Sequence, residues 1–301
     1  MSRRWSLVAV VASAACFGTL PVLARLAYDA NATPLPLLAW RFLFAAVLLA
    51  VVTTLRRPGS LRVSGRDVLR FAALAVTGYG AASVCYFFAL KFADASVVAV
   101  LLYAYPAFVT LASWTFLGER ATWQRGAAVL VTFLGCALVV GLLGGMARAQ
   151  WQGIALGLGA AMGYTFFNLL SHRWLPGRSQ LVMMTYTFGI ASLMAAGIAL
   201  GAGQSLSPAA WQPSAWWLLA AIVAVPTFAA IMLYLQGIRG LGPAQAAVLS
   251  TVEPLFTIAL AIVFLPDQTL MPVQVLGAAL VLAGVVWAEL SARSAEPIAA
   301  V

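Results

Sequence analysis

Charge is what this sequence has least of. Only 8% of its 301 residues are Asp, Glu, Lys or Arg, against about 25% in an ordinary soluble domain, while 63% are apolar. That balance excludes a water-soluble enzyme, and the stretches between apolar runs are too short to hold a separate catalytic or receptor domain. Histidine is nearly missing as well. His172 stands alone, so neither a multi-histidine metal cage nor a series of histidine-activated nucleophiles can be built. The three cysteines, Cys16, Cys85 and Cys136, lie singly in apolar runs without C-x-x-C spacing and read as packing residues. Lysine occurs once, at Lys91, and no G-x-x-x-x-G-K-[ST] loop is present, which excludes ATP as the direct energy source. No cofactor and no metal are expected.

What the sequence has in quantity is long apolar runs. A bilayer-spanning helix needs about 20 apolar residues, and hydropathy with Pro/Gly/Asn punctuation divides the chain into ten segments: 7–27, 35–55, 69–90, 95–117, 123–144, 151–171, 181–203, 215–237, 243–264 and 271–290. The breakers include Asn31-Ala32-Thr33-Pro34, Arg57-Pro58-Gly59-Ser60 and Leu175-Pro176-Gly177-Arg178. The net charge of +9 therefore reads as membrane topology, not as a nucleic-acid footprint. With the N-terminus inside, thirteen Arg fall on inner segments, while Arg25, Lys91 and Arg148 fall outside and Arg41 lies within a segment. This positive-inside bias places both termini in the cytoplasm. Ser2-Arg3-Arg4 and Ala12-Ser13-Ala14 imitate an export signal, but the apolar run continues past that point to Ala27, so the first segment is read as a helix.

The chain also carries an internal repeat. An offset of 148 residues pairs Tyr86 with Tyr234, Ala99-Val100-Leu101 with Ala247-Val248-Leu249, Pro106 with Pro254, Phe108 with Phe256, Lys91 with Arg239 and Glu119 with Asp267. A duplicated unit of five spans enters the membrane from opposite sides in its two copies, which gives an inverted-topology repeat. The expected fold is all-α and integral to the membrane. Ten transmembrane helices form two inverted five-helix repeats, residues 1–146 and 147–301. Such architecture suits alternating access, with a substrate site near the midplane between the halves.

Further motifs resemble the drug/metabolite transporter superfamily, specifically its EamA-type ten-helix exporters. Trp40-Arg41-Phe42-Leu43-Phe44-Ala45-Ala46 resembles the Arg-led opening of the second helix, and Tyr105-Pro106 through Phe116-Leu117-Gly118-Glu119-Arg120 resembles the fourth helix with its L-G-E turn. Gly126, Gly277-Ala278-Ala279-Leu280 with Gly284, and Glu253-Pro254 resemble matching features of the closing helices and of the second repeat; Leu265-Pro266-Asp267 departs from the second L-G-E. The resemblance implies a multi-pass exporter of small metabolites in the bacterial inner membrane, amino acids being the commonest cargo. The aromatic-rich third and fourth segments are most similar to YddG-type exporters of aromatic amino acids. Drug or nucleotide-sugar carriers on the same fold form the alternative, with an intramembrane enzyme a remote one. The expected partners are a small-molecule substrate and the lipid bilayer, with a monomer as the working expectation.

Several residues are candidates for substrate contact. Glu253 lies at mid-bilayer depth, where a charge costs about 2.5–3.5 kcal/mol even on the lenient insertion scale. It reads either as an amine ligand or proton carrier, or as a carboxyl satisfying backbone opened by Pro254. Pro106 and Pro254 are matched hinges or passive kinks. Arg41 either snorkels outward or binds a carboxylate, Glu253 included. Tyr79, Ser83 and Tyr86 share a helix face, Tyr103 and Tyr105 flank Pro106, and Tyr164, Phe167 and Asn168 fall on adjoining turns. Phenol rings give an apolar wall with hydroxyl tips, suited to an amphipathic solute. Asn168 is expected to hydrogen-bond a substrate or a neighbouring helix.

Overall fold

The computed structural model describes residues 3–116, 122–139, 150–174, 177–241, 246, 249–265 and 271–295, and among them every regular element is helical. The first rod is α1 (Arg3–Gly18) and α2 (Leu20–Asp29). They are separated at Thr19 because Pro21 has no amide to give the preceding turn. The Thr19 hydroxyl instead donates to the Cys16 carbonyl at 2.7 Å. Next come α3 (Pro34–Arg56) and a third rod made of α4 (Gly65–Ala73), a π-helical stretch Leu74–Tyr79 and α5 (Gly80–Ala89). The first half continues with α6 (Ala95–Leu102), α7 (Tyr105–Phe116) and α8 (Trp123–Val139).

The second half repeats this plan. It contains α9 (Trp151–Trp174), α10 (Gln180–Gly201), α11 (Pro213–Ile222), a second π-helical stretch Val223–Ala229, α12 (Ala230–Leu241), α13 (Glu253–Phe264) and α14 (Pro272–Ala295). Among the described residues seven helical rods are long and apolar enough to cross a membrane, and three shorter apolar helices, Gly126–Val139, Glu253–Phe264 and Pro272–Ala288, fall in the remaining expected segments. The turn signals act as read: Asn31, Gly59 and Gly177 all take positive φ (64°, 79° and 76°), and Pro34 opens α3 at its first turn, where a missing amide costs nothing. The first L-G-E turn and Leu265-Pro266-Asp267 beyond Leu265 lie outside the described residues.

Helix pairing follows the repeat. The first rod packs on α12, α5 packs on α9, α3 on α10, and α8 on α14. Exchanging the five-helix halves converts the first two pairs into each other and the last two into themselves. At the α8–α14 crossing the backbones touch: a Cβ on Gly277 would stand 2.7 Å from the Gly135 carbonyl oxygen, so only glycine permits that approach. Inside the bundle Phe42, Phe87, Phe188, Leu37 and Leu38 are buried, whereas Val47, Leu130, Leu193 and Trp217 are left more than half exposed on the outside. An exterior this apolar belongs in lipid.

Candidate functional site

The site begins with two helix breaks. Pro106 and Pro254 do more than kink their helices, which is what their mid-segment positions suggest. The α6–α7 segment stops for a turn at residues 103–104, and the segment ending in α13 stops for a turn at 251–252, again 148 residues apart. Glu253 is thus the first residue of α13, at a helix N-terminus that favours a carboxylate. Tyr105 holds the matching place at the start of α7.

Pro254 also removes the amide that would meet the Ser250 carbonyl. The group that approaches this carbonyl is not Glu253. The Tyr103 hydroxyl comes across from the other break and lies 2.9 Å from the Ser250 carbonyl oxygen and 2.9 Å from Glu253 Oε2.

From Tyr103 an aromatic wall runs through the bundle. Its ring centroid is 6.2 Å from that of Tyr105, which meets Tyr164 edge-on at 4.9 Å; Tyr164 stacks on Phe167 at 5.8 Å, and Phe167 meets Tyr79 at 5.4 Å. Tyr79 in turn touches Phe42 and Phe188 at 5.9 and 5.3 Å. Tyr79, Tyr105, Tyr164, Phe167 and Glu253 are half-buried, and Tyr103 and Tyr86 are buried. Helices more than 20 residues apart in sequence therefore converge on one amphipathic surface.

Arg41 stands behind this wall, and its position corrects the snorkelling expectation. It is 1% exposed. Its Nε donates to Thr227 Oγ1 at 3.0 Å, its charge lies within electrostatic range of the Tyr79 phenol, and its Cζ lies 5.1 and 5.3 Å from the ring centroids of Phe42 and Phe87. An internal acceptor and ring faces replace the water that an outward turn would have supplied. Thr227 is available because Pro226 interrupts the second π-helical stretch; its hydroxyl donates to the Ile222 carbonyl at 2.8 Å while accepting from Arg41. Tyr79 and Thr227 are themselves 148 residues apart, each in a π-helical stretch, so one guanidinium ties the two equivalent elements together.

The Arg41–Glu253 pair of the alternative reading is not formed either. Asp67 pairs instead with Arg70 and Arg178. The Tyr79 and Tyr86 phenols nevertheless lie within electrostatic range of both Arg41 and Glu253.

Two candidates fall short of the expectation. Ser83 is half-buried and makes no hydrogen bond among the described residues. Asn168 does not reach a neighbouring helix: its Nδ2 donates to the Tyr164 carbonyl of its own helix at 2.8 Å, the bond its short amide closes most easily one turn back. Sequence reasoning also passed over Thr227, Phe42, Phe87 and Phe188. Only Pro226, a proline deep in an apolar run, marked that neighbourhood.

Comparison with known proteins gives consistent results. The sequence profile of the EamA-like transporter family matches residues 4–141 and again residues 151–289. The chain is 28% identical over 273 residues to the uncharacterized transporter YcbK of Bacillus subtilis, covering 87% of this chain and 85% of that protein. It is 24% identical over 284 residues to the uncharacterized transporter YwfM of the same organism, covering 91% and 90%. A crystal structure at 20% identity superposes with a TM-score of 0.67 over 98% of this chain and 100% of the other, which shows the shared fold.

Proposed function

Because the chain belongs to the EamA-like transporter family, we propose that this multi-pass membrane transporter, which is not an enzyme, exports amino acids with apolar, preferably aromatic, side chains across the bacterial inner membrane. Both termini are cytoplasmic in this reading. Residues 1–146 and 147–301 form inverted halves that exchange outward-open and inward-open states around the aromatic wall, with the breaks at Pro106 and Pro254 as hinges.

One observation carries the substrate class. Arg41 and Glu253 are opposite charges inside the bundle, not paired with each other among the described residues, and they act on the same phenols. A zwitterion satisfies both. Its ammonium group binds Glu253 beside Tyr103, its carboxylate accepts from the Tyr79 and Tyr86 hydroxyls backed by the Arg41 charge, and its side chain lies on Tyr105, Tyr164 and Phe167. Arg41 is then a positioning residue that polarises Tyr79 from behind.

Counterflow into proteoliposomes preloaded with phenylalanine tests this, using labelled phenylalanine, phenethylamine without the carboxylate, and phenylpropionate without the amine. Saturable exchange of phenylalanine, with both truncated analogues at least about tenfold weaker, is the expected result. Exchange of phenethylamine or of cationic drugs at equal strength would overturn the zwitterion reading in favour of a drug carrier. No exchange of any amino acid would do so in favour of other metabolites.

A further inference from the structure

We propose that the arginine-rich end of the bundle carries a phosphate-binding site between α3, α10 and α12, remote from the aromatic wall. The end of α3 and the start of α10 enclose a cavity of about 420 Å³, and a second hollow of about 330 Å³ continues past Arg56 and Leu235 to Gln236 on α12.

Seven of the ten residues that line the larger cavity carry a side-chain donor, and Gly177, Leu181 and Leu235 complete it. Arg56 and Arg57 project here from the end of α3, and neither forms an ion pair among the described residues. Arg178 joins them, already fixed by bonds from its Nε to Asp67 at 2.7 Å and from its NH1 to the Trp174 carbonyl at 2.8 Å. The first turn of the 22-residue α10 points its free amides at the same space, and its N-cap Ser179 makes no side-chain capping bond.

Two further groups require a partner. Thr53 is 3% exposed, and among the described residues neither its Oγ1 nor the buried Ser60 Oγ has a hydrogen-bond partner; both residues line the cavity. A buried hydroxyl left unmatched costs about 1–3 kcal/mol, so an occupant that accepts hydrogen bonds is indicated. The local acid, Asp67, is taken up by Arg178 and Arg70 and leaves the surplus of positive charge uncancelled.

Two guanidinium groups, two hydroxyls and a helix N-terminus offer more donors than the two oxygens of a carboxylate can accept. A phosphate group, with three or four acceptor oxygens, matches them. Under the positive-inside orientation the site lies at the depth of the cytoplasmic headgroups, and its volume suits either a phospholipid headgroup or a soluble phosphate.

The test uses the full chain in nanodiscs. The melting temperature is measured in phosphatidylcholine alone, with added phosphatidylglycerol, and with inorganic phosphate against chloride of equal ionic strength. The wild type should gain stability in at least one arm: a gain with phosphatidylglycerol alone identifies the lipid headgroup, and a gain with inorganic phosphate identifies a soluble phosphate. R56Q/R57Q should lose that gain, and T53V, which alters no charge, should weaken the half-saturating concentration by about fivefold, the equivalent of one hydrogen bond. R3Q/R4Q, which removes two arginines from the same end of the molecule but outside the cavity, should keep it. The proposal fails if neither arm stabilises the wild type, if T53V binds as the wild type does, or if R3Q/R4Q loses the gain as fully as R56Q/R57Q, which would mean diffuse charge attraction and no built site.

Discussion

Tyr103 has one hydroxyl hydrogen and two acceptors at 2.9 Å, the Glu253 carboxylate and the Ser250 carbonyl. With Glu253 ionised the hydrogen serves the carboxylate. With Glu253 protonated, the acid donates to the phenol oxygen and the phenol turns to the carbonyl, so both charge states are hydrogen-bonded without moving a heavy atom. Replacing Glu253 by Gln should raise the half-saturating phenylalanine concentration in counterflow by about tenfold or more, because a charge-assisted bond to the ammonium becomes a neutral one. Tyr103→Phe should raise it by about fivefold, the equivalent of roughly 1 kcal/mol. Behind the wall, Thr227→Val removes the acceptor of Arg41 Nε and the donor to Ile222 at once. It should cost about 1–2 kcal/mol of stability in detergent, read as a lower melting temperature, whereas the similarly buried Thr187, whose hydroxyl has no partner among the described residues, should tolerate Val without loss. Glu253 and the tyrosines were legible in the sequence because a carboxylate or a phenol at membrane depth has few uses. The partners of Arg41 were not, since a threonine, two phenylalanines and a tyrosine in an apolar chain carry no mark of the guanidinium they enclose.

At the scale of helices, the sequence yielded the apolar runs and their turns to within a few residues, because lipid tolerates only unbroken backbone bonding between clear punctuation marks. Interruptions inside the runs were harder to read. Pro106 and Pro254 announced their breaks, while the first π-helical stretch, Leu74–Tyr79, contains no proline and follows no periodicity that distinguishes it from α-helix. Close crossings were partly legible through glycine, but not every glycine marks one. Gly277 touches the backbone of Gly135, whereas Gly197 in α10 has open space where a Cβ would stand. Gly277→Ala should therefore lower stability by about 1–3 kcal/mol through forced separation of α8 and α14. Gly197→Ala should be neutral or add about 0.5–1 kcal/mol from helix propensity. Thermal unfolding of the two variants side by side checks the contrast.

For the whole molecule, the 148-residue offset found in the sequence recurs in the paired turns, in the paired π-helical stretches and in the helix packing. The offset was legible because charged and proline landmarks stand out in an apolar chain. Orientation rests on the arginine distribution, and reporter fusions should place the end of the chain and the 57–63 loop on the same, cytoplasmic side; a reporter active outside at either position would reverse the reading. The two halves are alike in backbone but not in chemistry, for where the second places Glu253 the first places Tyr105. Under the proposed function, an amino acid whose ammonium seeks Glu253 keeps one pose while the surroundings rearrange, so its approach from one face is not the mirror of its approach from the other. Uncoupled transport still has to equalise concentrations at rest. The half-saturation constants on the two faces are free to differ, and any such difference must be matched by the maximal rates in the two directions, making the carrier kinetically lopsided within a nearly symmetric frame.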